Sequence, residues 1–172
     1  MQNYFDFYGL PVKFNLDEKE LKARYFNLLK ANHPDFFVNN PEKYKESLNN
    51  SSLNNEAYKC LSNFNNRANH ILSLSGLNLE DKLPSSFLME MMDINEALDD
   101  LKSERDAEKL KVLETEILNI KTGLGLELKA LTEKADAILS EGEKPFKAIY
   151  ENLLKHKYIL RLNETLANIA AP

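Results

Sequence analysis

The sequence predicts an all-α protein in two parts, an amino-terminal helical hairpin unit and a carboxy-terminal antiparallel three-helix bundle. Three observations predict it. Five glycines and six prolines in 172 residues, set against abundant Leu, Lys, Glu and Ala, favour helices over strands, because unbranched side chains lose little freedom in a helix. Apolar residues recur at 110, 113, 117, 120, 124, 128, 131, 135 and 138, in steps of three and four that mark a long helix in a bundle seam. A short connector, LNLEDKLP at 77–84, divides the helical stretches. The expected division is therefore 1–76, connector 77–84, and 85–172. Three leucines are too apolar for a free linker, so the halves are expected to dock.

The elements follow in order. NYFDFY at 3–8 reads as a short helix or turn stopped by Gly9 and Pro11. Asp17 caps a helix running to about Asn32, with Leu21, Tyr25 and Leu28 on one face, Lys19, Lys22 and Lys30 opposite and Arg24 on the flank. Pro34 ends that helix by disfavouring helical geometry at His33. Residues 39–50 are polar, and NNSSLNN prefers caps and turns, so the next helix is clear only at NEAYKCL, where Ala57, Cys60, Leu61 and Phe64 keep helical spacing. A helix over 65–75 ends at Gly76. Past the connector, Ser85 or Ser86 caps a helix to about Leu101. The long helix follows, weakened but not broken by Gly123 and Gly125. Gly142 and Pro145 mark the turn into a last helix at 146–168, whose core residues are expected to be Phe146, Ile149, Leu153 and Leu160. Short loops between three helices make the bundle antiparallel.

Composition excludes several classes. The net charge of −5 hides a pattern: nine Lys/Arg against eight Asp/Glu in 1–76, three against ten in 77–108, and ten against nine in 109–172. With acidity concentrated in one segment and no basic stripe carrying interleaved aromatics, nucleic acid is a poor partner. No window approaches the roughly 18 uncharged apolar residues of a membrane span, and the amino end has no basic or apolar leader region, so neither a membrane nor a signal peptide is expected. One cysteine, Cys60, permits no internal disulfide and no thiolate metal cage, which fits a reducing cytoplasm. His33, His70 and His156 lack ligand spacing, Gly123-Leu124-Gly125 has Leu128 where a third glycine is needed, and the acidic run at 93–106 lacks a calcium loop's glycine. No metal, cofactor or nucleophile–base pair is expected.

Two stretches carry functional information. His33-Pro34-Asp35 is at its simplest a helix stop, in which His caps carbonyls, Pro breaks and Asp turns the chain. It also follows a cationic amphipathic helix near the middle of a helical unit of about 75 residues, and there it resembles the loop of a J-domain, the module that stimulates the ATPase of DnaK-class chaperones. The second stretch is acidic. With Phe87 at zero, Met91, Ile94, Leu98 and Leu101 fall within about 40° of it and form a core stripe. Leu88, Met89 and Met92 lie on the other side, about 100–240° away, among Asp93, Glu96, Asp99 and Asp100. Large apolar residues among acids on a face the core does not need read as a docking surface, and methionine adapts well to a partner. Burial against the amino-terminal unit is the other reading.

YFDFYGLP, NEAYKCL, NRANHILSLSGLNL and FLMEMMDINEALDDL, in that order over residues 4–101, resemble successive signatures of the HscB family of iron–sulfur co-chaperones. The resemblance implies a co-chaperone without an active site of its own. Its partners would be a DnaK-class (HscA-like) chaperone and an iron–sulfur scaffold protein (IscU-like), with the scaffold delivered to the chaperone. It further implies that His33, Pro34 and Asp35 form the stimulating loop, with Lys22, Arg24 and Lys30 around it. The family's scaffold-binding positions coincide with Leu88, Met89, Met92, Asp93, Glu96 and Asp100. A family aromatic that touches the scaffold falls near Tyr158, where ordinary packing is the alternative.

This chain departs from the common J-domain pattern. Phe26 and Asn27 stand where many J-domains are basic, and Asn32 and Phe36 flank the tripeptide in place of an aromatic and a lysine. Eukaryotic relatives carry an amino-terminal cysteine zinc motif that a chain with only Cys60 lacks, which points to a bacterial-type member. Three rivals remain open: a general J-protein for misfolded clients, a helical adaptor, and a small enzyme using His33 and Asp35, for which no second polar cluster is visible.

Overall fold

The computed structural model describes residues 2–138 and 144–170. Every regular element among them is helical, and they divide into two compact units, Met1–Leu77 and Asn78–Pro172.

In the first unit α1 (Tyr4–Tyr8) is capped by the Asn3 side chain and closed by Gly9 in the left-handed region at φ 62°. A side chain at Gly9 would be strained there and would meet Arg24 Nη1 at 3.4 Å. Asp17 accepts from the Lys19 and Glu20 N–H groups and opens α2 (Glu18–Ala31). A 3-10 turn over Pro34–Phe37 follows, then α3 (Pro41–Ser62) and α4 (Phe64–Leu74), with Gly76 left-handed just past the end. Phe5, Tyr8, Phe14, Leu21, Ala57, Leu61, Ala68 and Ile71 form the core. Each large aliphatic or aromatic member contributes about 1.5–3 kcal/mol of burial.

The helix α3 differs from the expectation. It begins at Pro41, with the Asn40 side chain capping Lys43 N, and runs straight through NNSSLNN. Its weak propensity is overcome because those polar side chains have partners on the neighbouring elements. Asn50 Nδ2 donates to Asn32 Oδ1 at 3.2 Å and Ser51 Oγ to the Asn32 carbonyl at 3.1 Å. Asn54, almost fully buried, donates to the Tyr25 carbonyl at 3.1 Å. The Tyr8 hydroxyl donates its proton between Asn54 Oδ1 at 2.7 Å and the Asn54 carbonyl at 2.9 Å, and burial pushes that phenol's pKa up. The contacts run from Asn32 with Asn50 to Tyr25 with Asn54, so α2 and α3 are antiparallel. Asn63 then interrupts the chain, leaving Phe64 half-buried at the start of α4.

Arg67 is the least expected core residue. It is buried, donates Nε to the Phe14 carbonyl at 2.8 Å and Nη1 to the Leu61 carbonyl, and lies over the Phe64 ring. Arg67→Leu strips two buried carbonyls of their donor. It is expected to cost about 2–4 kcal/mol in chemical denaturation.

His70, also packed, stacks on Tyr4 with centroids 4.7 Å apart and accepts the Tyr4 N–H at Nε2, 3.2 Å. Burial lowers its pKa, and the accepting nitrogen must be unprotonated. The folded state therefore refuses a proton that the unfolded chain takes up below about pH 6.5. This contribution is complete above that value and lost as pH falls through the lowered folded pKa, with a slope of at most about 1.4 kcal/mol per pH unit. His70→Gln is expected to flatten the fall in melting temperature between neutral pH and pH 5, as read by calorimetry.

In the second unit, residues 78–84 carry no helix. The expected helix from Ser85 is two, α5 (Ser85–Glu90) and α6 (Met92–Ser103), broken at Met91. Asp106 caps α7 (Ala107–Ala137), and the N–H of Lys109 bonded to its carboxylate holds that group's pKa below the usual range. The helix α7 passes through Gly123 and Gly125, because the apolar seam it presents to α8 (Phe146–Ala170) outweighs about 1 kcal/mol lost per glycine. Of the expected turn, Gly142 lies outside the described residues, and Pro145 precedes α8 directly.

Phe87, Met91, Ile94, Leu98 and Leu101 are all buried, packed with Leu113, Ile117 and Leu124 of α7 and Ile159, Leu162 and Leu166 of α8. The expected α8 stripe needs correcting. Leu160 is exposed and Leu153 half-buried, whereas the inward ridge is Ile149, Asn152, Ile159, Leu162 and Leu166. Asn152 takes a core position by donating to the Leu124 carbonyl at 3.2 Å and to Glu127 Oε2 at 2.8 Å. A polar residue there hides the true phase of the helix.

Candidate functional site

Two surfaces stand out, one in each unit. The first is the turn after α2. Asn32 caps α2, its N–H donating to the Leu28 carbonyl at 2.9 Å and its Nδ2 to the same oxygen at 3.0 Å. Its own Oδ1 and carbonyl receive the two bonds from α3. This one residue thus closes the helix and ties the following turn to α3.

His33 is extended, at φ −68° and ψ 123°, as the residue before a proline should be. Its Nδ1 accepts the Asp35 N–H at 3.4 Å and lies 3.6 Å from Asp35 Oδ2. The ring meets Phe36 edge-on at 5.8 Å. The Phe36 N–H donates to the His33 carbonyl at 3.1 Å and the Asn40 N–H to Phe37 at 2.9 Å, so the turn is held chiefly by its backbone. The imidazole and carboxylate themselves face water, with side chains 48% and 85% exposed. Phe36 and Val38 are exposed beside them.

Lys22 and Lys30 are exposed on α2. Arg24 is differently placed. Its Nη2 pairs with Glu20 Oε1 at 2.7 Å, and its Nη1 donates to the Tyr8 carbonyl at 2.7 Å. That guanidinium fastens α1 to α2, and Glu20 cancels much of its outward field. Phe26, exposed and four residues from each lysine, puts an apolar surface between them.

The second surface lies on α5 and α6. The side of the helix away from the core leaves Leu88 42%, Met89 70% and Met92 65% exposed, together with exposed Asp93, Glu96, Asp99 and Asp100. Asp99 is engaged by Lys102 at 2.7 Å. Tyr158 on α8 is half-buried. Its ring meets Phe87 edge-on at 5.7 Å, and its hydroxyl accepts from Asn95 Nδ2 at 2.9 Å. That bond holds Tyr158 against α6, next to Glu96 in the chain. Asn95 was not singled out from the sequence, and nothing local marks it. Only its place one residue after the core position Ile94 shows that it borders the seam.

Among the described residues no group of three or more His, Cys, Asp or Glu could hold a metal, and no helix is long and apolar enough to cross a membrane. The Cys60 thiol is half-buried and its pKa is raised by burial, which makes it a poor nucleophile.

Known proteins resemble this chain along nearly its whole length. A family model described as the HSCB C-terminal oligomerisation domain matches residues 83–167. The chain is 31% identical over 173 residues to a co-chaperone protein HscB homolog of Shewanella frigidimarina (strain NCIMB 400), covering 97% of this chain and 96% of the relative. It superposes on chaperone HscB from Vibrio cholerae with a TM-score of 0.66, 25% identity and 98% of each chain covered. The crystal structure of human co-chaperone protein HscB gives a TM-score of 0.69 at 25% identity, over 100% of this chain and 84% of that one.

Proposed function

The chain belongs to the HscB family of co-chaperones, and from that membership we propose that it stimulates the ATPase of a DnaK-class, HscA-like chaperone and delivers an IscU-like iron–sulfur scaffold protein to it for cluster assembly or transfer. The observation that carries this reading is the presence, on one chain, of two exposed and separately built surfaces. One is the His33-Pro34-Asp35 turn, and the other is the Leu88, Met89 and Met92 patch among carboxylates. The chemistry of hydrolysis belongs to the partner. The turn presents an imidazole, a rigid proline and a carboxylate, and the methionine patch supplies adaptable apolar anchors. The acids around it bias orientation and encounter rate.

A coupled ATPase assay tests it. With the purified chaperone, the chain is expected to raise the hydrolysis rate, and scaffold added with the chain to raise it further. A rate that responds to neither addition rejects the proposal.

Of the three cations, Lys22 and Lys30 have no carboxylate within ion-pair distance among the described residues, and act by steering the association. Raising salt from dilute to physiological buffer is expected to slow association with the chaperone, as charges beyond about 10 Å are screened at 0.1 M. Lys22→Gln with Lys30→Gln should remove most of that dependence, and stopped-flow mixing measures it. Arg24→Gln should lower stability more than the salt slope, because its guanidinium is bound to Glu20 and Tyr8.

A further inference from the structure

Beside Leu88 the second unit opens a groove of about 370 Å³, floored by Leu83, Leu88 and Leu154 and edged by Lys82, Lys157 and Arg161, with Asp81 its one carboxylate. One wall is a stripe of α8, where Leu154, Lys157 and Arg161 follow at steps of three and four and so share a helix face. The other wall comes from Lys82 and Leu83, ahead of α5, and from Leu88 on α5 itself. Elsewhere in this unit Lys102, Lys129 and Lys147 each lie within 4.0 Å of a carboxylate three or four residues away. Among the described residues Lys82, Lys157 and Arg161 have none at that distance. Lys157 and Arg161 stand four residues apart, a spacing at which like charges repel and weaken a helix. Glu164 is three residues past Arg161, yet the guanidinium lies instead over the Tyr158 ring at 5.8 Å.

A bare anion in this groove would leave the leucines in water, and an apolar side chain alone would leave the cations unanswered. A peptide segment with an apolar side chain among carboxylates meets both. Two links make the groove continuous with the methionine patch. Leu88 belongs to both. Arg161 leads through the Tyr158 ring to Asn95, which is bonded to the Tyr158 hydroxyl at 2.9 Å and precedes Glu96 on α6. A partner that covers Leu88 therefore overlies the groove as well.

We propose that the scaffold protein seats an acidic segment of its own in this groove, an apolar side chain against Leu83, Leu88 and Leu154 and carboxylates against Lys82, Lys157 and Arg161. The proposal rests on the scaffold reading of Leu88, Met89 and Met92 given above. It adds that the partner's contact surface carries both signs, acid toward the groove and base toward Asp93 and Glu96. Docked the wrong way round, like charges would meet, so the two charged regions fix orientation as well as strengthen binding.

Titration calorimetry of the full chain with the scaffold protein tests it. K157E/R161E is expected to bind at least about tenfold more weakly than the wild type. K121E/K129E makes the same change of net charge on α7, outside the groove, and should stay within about threefold. Should loss of the Tyr158 contact lower the melting temperature of K157E/R161E, K82E/K157E replaces it and touches no ring. Zero-length carbodiimide coupling of the wild-type complex, followed by peptide mass spectrometry, should join Lys82 or Lys157 to an Asp or Glu of the scaffold. Unchanged affinity in K157E/R161E while L88A/M89A/M92A binds weakly overturns the proposal and leaves the scaffold reading in place. An equal loss in K121E/K129E also overturns it, since net charge alone then accounts for the effect, and so does a coupled complex that spares both lysines. Unchanged affinity in both L88A/M89A/M92A and K157E/R161E would reject the scaffold reading itself, and this proposal with it.

Discussion

Replacing His33 with Gln is expected to abolish stimulation of the chaperone ATPase while scaffold binding and the melting temperature stay at wild-type values. The separation follows from how the turn is held. Pro34 ends the helix whatever precedes it, the Phe36 and Asn40 N–H groups close the turn on backbone oxygens, and Asn32 ties it to α3. The imidazole adds one long bond from the Asp35 N–H and is half in water. Its removal from the fold costs a few tenths of a kcal/mol. If the tripeptide were only a helix stop, Gln would do as well, and stimulation would survive. ATPase rates over a range of variant concentration, beside a thermal melt, decide the matter.

Replacing Leu88, Met89 and Met92 together with Ala is expected to weaken scaffold binding by about 2–4 kcal/mol, on the order of 30- to 800-fold in Kd. Exposed apolar side chains contribute little to the fold that carries them, and much to a partner that covers them. The stripe that holds α5 and α6 to the bundle passes through Phe87, Met91, Ile94, Leu98 and Leu101, none of which is altered. Calorimetric titration with the scaffold and a melting curve are read together. A drop of many degrees would mean that the three side chains support the fold, and an unchanged affinity would assign the face to another partner. Asp93→Asn with Glu96→Gln should act differently, slowing association and reducing its salt dependence with a smaller change in dissociation.

The parts legible from sequence were those in which one apolar period dominates. The seam of α7 and the Phe87–Leu101 stripe needed only spacing, and the exposure of Leu88, Met89 and Met92 followed by subtraction. The caps Asp17 and Gly76 were readable because a single residue type does a single job there. What escaped was polar and non-local. Asn50, Ser51 and Asn54 look like helix breakers until Asn32, the Tyr25 carbonyl and Tyr8 supply their partners, across separations that no local pattern encodes. Arg67 reads as a surface cation, and only its carbonyl partners at Phe14 and Leu61 explain its burial. In α8 several apolar residues compete for the inward position, and Asn152 filling one of them shifts the apparent phase. Arg24 could be placed on the flank of its helix, but its engagement by Glu20 and Tyr8 is invisible without the fold.

The amides of α3 have a mechanical consequence. Two helices joined only by aliphatic ridges can settle in neighbouring registers one turn apart, a slide of about 5.4 Å, because one leucine knob fits the next hole nearly as well. Directional bonds do not tolerate that slide. Asn50 and Ser51 meet Asn32 at one height only, and a turn further along both would lose the oxygens they now reach. Asn54 fixes the same height again between Tyr25 and Tyr8. The hairpin therefore has a single detent, and the distance by which His33 and Asp35 project beyond α3 is set by matched amides instead of by the fill of the core. Core substitutions that preserve those amides can change how firmly this unit is built without changing where it presents His33 and Asp35.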